Sequence, residues 1–69
     1  MGFIKDLFKD AHIDVTGQYY MIDREDYEIL VSLSMENEVL QQALLESITG
    51  NIADGREVFY IPVKFINQL

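Results

Sequence analysis

Apolar positions recur at helical spacing from the start of the chain. In "GFIKDLFKDAH", Phe3, Ile4, Leu7, Phe8 and Ala11 share one side, while Lys5, Asp6, Lys9 and Asp10 share the other. That pattern predicts an amphipathic helix. The polar stretch "HIDVTG" ends it and turns the chain at Gly17. "QYYMID" is rich in aromatic and apolar residues and too short for a helix between Gly17 and Asp23, so it predicts a strand. Asp23 is suited to capping a helix, with Glu25 and Asp26 in the first turn, where free amides and the macrodipole favour negative charge. Beyond it, Leu30, Leu33, Leu40, Leu44 and Ile48 fall within one sector of about 80° on a helical projection, with Asn37 in the same sector. Such continuity of phase predicts one unbroken helix over residues 24–48, with Gly50 as its C-terminal cap.

A rival pattern lies in the first half of that segment. Tyr27, Ile29, Val31 and Leu33 alternate with Glu28, Leu30, Ser32 and Ser34, as in a half-buried strand. Ser34 would then cap a shorter helix starting at Met35, and residues 18–33 would form a hairpin turning at "DRED". The single helix is preferred because the leucines hold their phase across the junction and "DRED" lacks the Gly or Asn that tight hairpins favour. "NIADG" predicts a turn. "REVFYIPVKFI" predicts a strand with Phe59, Ile61, Val63 and Phe65 on one face and Val58, Tyr60, Pro62 and Lys64 on the other. Because Pro62 cannot donate to a ladder, that strand belongs at an edge, or pairs on one side only near Pro62.

The expected fold is therefore α+β, a small single domain over residues 1–69. It comprises an N-terminal amphipathic helix, a short strand, a long acidic helix and a C-terminal edge strand; the alternative is α-β-β-α-β with the hairpin at 18–33. Strands on either side of a long helix suggest a β-α-β unit, whose parallel pairing would need a right-handed crossover. Two strands alone are marginal. Helices must cover one sheet face, and a partner or second copy would supply the rest.

Composition sharpens this picture. The chain has 69 residues, and cores below about 70–80 residues seldom supply more than about 3–5 kcal/mol. There is no cysteine, so neither disulfides nor a CxxC metal site can compensate, and its absence fits a reducing compartment. An apolar fraction of 49% with 25% charged residues is that of a folded chain. No apolar run approaches the ~18 residues of a spanning helix, no signal-peptide pattern appears, and Asp6 stands where myristoylation requires Ser or Thr. The Lys and Asp charges of the first helix cancel, which argues against a membrane surface as partner. A soluble, cytoplasmic protein is expected.

The net charge is −7, and the acids are unevenly spread: residues 23–46 hold seven of the twelve, against Arg24 as their sole base. The clustered Lys and Arg needed for direct nucleic-acid binding are missing. With the leucines turned inward, Glu25, Glu28, Glu36 and Glu46 form a row on the opposite helix face, flanked by Met35, Val39 and Ala43. Such a row is either a solvated face that keeps the protein soluble or a contact surface for a basic partner protein. Seven acids along about 36 Å of helix give one charge per ~5 Å, against one per ~1.7 Å on duplex DNA, so the row is only a loose nucleic-acid mimic.

Catalytic and metal signatures are weak. His12 stands near Asp10 and Asp14, but no second cluster closes a site; the four glycines are isolated; and Glu36 and Glu38, two apart on a helix, point away from each other. A core this small also leaves little room for a pocket of a few hundred Å³. The sequence therefore predicts a non-enzymatic protein-binding module with no cofactor or metal, an inhibitor or adaptor that docks Glu25, Glu28, Met35, Glu36, Val39 and Glu46 on a basic partner. The alternative is a structural module that self-associates as a homodimer. Its interface would be Leu30, Leu33, Asn37, Leu40 and Leu44, whose spacings of three and four put Asn37 where a buried Asn sets coiled-coil register, or else a free strand edge.

Overall fold

The computed structural model describes residues 2–51 and 55–69. Along the chain run α1 (Gly2–Lys9), β1 (His12–Ile13), β2 (Tyr19–Ile22), α2 (Arg24–Ser34), α3 (Glu38–Leu45), β3 (Ile48–Asn51), β4 (Glu57–Pro62) and α4 (Val63–Ile66). The strands form one antiparallel sheet in the order β1-β2-β4-β3. The class is α+β, as the sequence predicts. The predicted turn over residues 51–55 falls mostly outside the described residues.

The long helix is not continuous. Residues 27–33 are helical, which removes the alternative hairpin over 18–33, but the helix stops at Ser34 and a second one starts at Glu38. Local chemistry makes the break. The Ser34 hydroxyl donates to the Val31 carbonyl at 2.6 Å, and the carbonyl of the buried Ser34 accepts from the Gln41 side-chain amide at 2.8 Å and from the Asn37 backbone amide at 3.2 Å. Asn37, in extended conformation, accepts from the Leu40 amide at 3.1 Å and so caps α3. Global dimensions favour the same outcome. An unbroken helix over residues 24–48 would be about 37 Å long, whereas the whole molecule extends only 33 Å. Folding back lets both halves lay their leucines on one sheet. Ile48 and Gly50 accordingly leave the helix and enter β3. Gly50 is no C-cap; a Cβ there would stand 3.1 Å from the Tyr60 ring.

The pairing also differs from a β-α-β unit. β2 and β4 are antiparallel, with Tyr20 opposite Ile61 and Ile22 opposite Phe59. β4 is not an edge strand, since β3 flanks its other side. Near Pro62, however, the pairing is one-sided: contact with β3 ends at Tyr60, while Pro62 lies opposite Tyr19 of β2. The Val63 amide donates to the Gln18 carbonyl at 2.9 Å, so by the alternation of an antiparallel ladder the Pro62 nitrogen points away from β2 and no bond is lost. The predicted strand stops there, and Val63 and Phe65 belong to a single helical turn rather than to a strand face.

Short β1 was not foreseen. It is held to β2 by a turn in which the Asp14 carboxylate accepts from the Thr16 hydroxyl at 2.8–2.9 Å and from the Gln18 and Tyr19 amides, both at 3.2 Å. Gly17 supplies the positive φ of 75° that closes this turn.

Among the described residues, the four helices pack on one sheet face. The core joins Ile4 and Phe8 of α1, Leu30 of α2, Leu40 and Ala43 of α3 and Ile66 of α4 to Ile22, Phe59 and Ile61 of the sheet. Tyr27 stacks on Phe59 with ring centroids 3.9 Å apart, and Phe8 meets Tyr20 at 5.0 Å. By strand alternation Tyr19, Met21, Val58 and Tyr60 point to the opposite face. Among the described residues, no helix is long and apolar enough to cross a membrane.

Candidate functional site

β1 is so short that β2 outruns it. His12 lies opposite Met21, which leaves Ile22 and Asp23 without a strand neighbour on that side. Beside this gap, the end of α1, the last residues of β2, the first residues of α2 and the base of β4 line an open cleft of about 310 Å³. Leu7, Ala11, Met21, Ile22 and Val58 give it an apolar part of its lining. Around it stand four carboxylates (Asp10, Asp23, Asp26 and Glu57), one guanidinium (Arg56) and the exposed His12.

These acids are not equivalent. Glu57 is ion-paired with Arg24. Asp23 caps α2, accepting from the Asp26 amide at 3.0 Å. Asp26 is the perturbed one: its pKa lies above the ordinary 3.8, first because it is partly buried and then because Asp23 and Glu25 repel its charge. An excess of carboxylates over cations beside apolar surface is suited to a lysine or arginine, whose aliphatic stem covers the apolar lining while its head sits among the carboxylates. Among the described residues, no group of three or more His, Asp or Glu side chains is arranged to hold a metal ion.

Two further clefts, of about 270 and 360 Å³, lie beside Phe8 and Tyr20 and beside Tyr19 and Pro62. Clefts of this size are thus possible in so short a chain, contrary to expectation, because they form at seams between elements instead of being hollowed from the core.

The predicted docking row is not assembled. Glu25 and Glu28 are exposed on α2, whereas Met35 and Glu36 lie in the turn between the helices. Val39 is half-buried on α3, and Glu46 lies past its end, 3.5 Å from the Lys64 ammonium. The break in the helix is what scatters them. The proposed self-association seam is consumed within the chain: Leu30 and Leu40 are wholly buried, Leu33 and Leu44 pack against the same core, and Asn37 is a helix cap. In the sequence, Asp23 and Asp26 stand out only as favourable to the start of a helix. Nothing there joins them to Asp10 and Glu57, which are distant along the chain.

The chain matches no known family model, no curated protein and no solved structure.

Proposed function

We propose that this chain is a small non-enzymatic protein-binding module that takes a basic side chain of a partner protein into its acidic cleft. The observation that carries the reading is that Asp10, Asp23 and Asp26 line one cleft with apolar groups and outnumber its Arg56, with Asp26 held above its ordinary pKa by burial and by Asp23 and Glu25. A cation placed there relieves a repulsion that folding has built in. The exposed Glu25 and Glu28 extend the negative field and steer a basic surface toward the cleft. Such a module fills the role of a cytoplasmic inhibitor or adaptor, covering a basic surface that its target uses elsewhere.

The test is an NMR titration of the labelled protein with a peptide rich in lysine and arginine. Shifts should concentrate at Asp10, Met21, Asp23, Asp26 and Val58 and weaken steeply with added salt. Asp26→Asn should lower affinity by roughly tenfold or more, the low end of one charge-assisted contact. Glu28→Lys should slow association, with less effect on dissociation. Shifts confined to other surfaces, or affinity indifferent to salt, would overturn the reading.

A further inference from the structure

We infer that the free edge of β3 is a self-association surface, at which two copies of the chain pair antiparallel through residues 48–51. β3 has β4 on one side only, and among the described residues no other backbone group hydrogen-bonds to its far side. Alternate residues of an antiparallel strand direct both amide and carbonyl outward, so this edge presents unpaired ladder groups. Folded proteins usually guard such edges with a charge, a proline or a bulge. "ITGN" has neither charge nor proline. Its register with β4 runs without a skipped residue from Ile48 opposite Tyr60 to Asn51 opposite Glu57, so there is no bulge. The other sheet edge, β1, is two residues long and offers little to pair with. Apolar surface accompanies the open edge: Ile48 is 51% exposed and Leu45, three residues before it, 77%.

Charge identifies the occupant as a second copy. A chain of net charge −7 repels itself over most of its surface. Beside β3 that repulsion is cancelled, because Glu46 is paired with Lys64 and Glu57 with Arg24. An uncharged edge gives no purchase to a basic strand and adds no local repulsion against another molecule of the same acidic protein. Symmetry agrees. A two-fold axis perpendicular to the sheet pairs residues of equal parity and keeps the helices of both copies on one side. Centred on Thr49, it sets Ile48 opposite Gly50 of the second copy, where no Cβ obstructs, and joins the two four-stranded sheets into one continuous sheet.

Sedimentation of the full chain from micromolar to millimolar concentration tests this, together with hydrogen exchange at both ends of the range. The expected result is a mass rising toward twice the monomer, with residues 48–51 gaining amide protection as it rises. Thr49→Lys and Ile48→Lys, both at exposed positions, should each weaken pairing about tenfold or more, with circular dichroism confirming that they fold. Asp26→Asn should leave it unchanged, and pairing should persist in high salt, which separates it from binding at the cleft. A mass that stays monomeric throughout, or a dimer whose amides at 48–51 gain no protection, would overturn the inference. So would a dimer indifferent to both lysines.

Discussion

Two aspartates show how environment sets the behaviour of one side-chain type. Burial works against the Asp14 carboxylate, but the Thr16 hydroxyl and the amides of Tyr19, Gln18 and Gly17 outweigh it and hold its pKa below 3.8. Burial and the neighbouring Asp23 and Glu25 do the reverse to Asp26. The consequences for stability have opposite sign. Asp14 stabilises the fold fully above its ordinary pKa, and that contribution is lost as pH falls through its depressed value. Asp26 binds its proton more tightly in the folded chain, so it favours folding below 3.8 and this advantage is lost as pH rises through its raised value. Urea unfolding followed from acid to neutral pH should therefore show a shallower acid limb for Asp14→Asn. At neutral pH, Asp26→Asn should gain up to about 0.5 kcal/mol, the scale of a surface substitution, while binding basic peptide less well. A loss of stability in Asp26→Asn would contradict the electrostatic account of the cleft. None of this was legible beforehand. "HIDVTG" announces a turn, but not that Asp14 collects the Thr16 hydroxyl and the following amides.

At the scale of elements, the decisive feature is the corner between α2 and α3. Asn37→Ala removes the cap of α3 and should cost about 1 kcal/mol in chemical denaturation. Asn37→Leu separates the broken arrangement from an unbroken helix: it would extend an apolar seam in the latter, yet it destabilises the observed corner by a similar ~1 kcal/mol. Gln41→Ala leaves the Ser34 carbonyl without its 2.8 Å partner, at a further cost of about 1 kcal/mol. Asn37 followed by Glu38 in the first turn was a readable cap. The leucine phase concealed it, because both helices place their apolar sides on the same sheet and so keep one periodicity across a break that contains neither Gly nor Pro.

The molecule as a whole has little stability to spare. Leu40 is fully buried in the core that the described helices and the sheet share. Leu40→Ala should cost about 2–5 kcal/mol, comparable with the ~3–5 kcal/mol available to a core of this size. Circular dichroism should show the variant largely unfolded near room temperature, or with a shallow transition lacking a native baseline. A clear, cooperative transition near the parent midpoint would mean that the core is not where the fold keeps its stability.

The sequence by itself determined the elements whose energies are local: the amphipathic helix at 2–9, the strand at 19–22, the cap at Asp23, and the alternation that turns Phe59 and Ile61 inward. Each rests on contacts between near neighbours, so periodicity and capping chemistry record it. Only the tertiary structure decided that β4 lies inside the sheet, that the long helix folds back, and that Asp10, Asp26 and Glu57 border one cleft. Those outcomes depend on pairing between β2 and β4 and on a sheet narrow enough to force two short helices. Such long-range terms leave no mark in the spacing of residues along the chain.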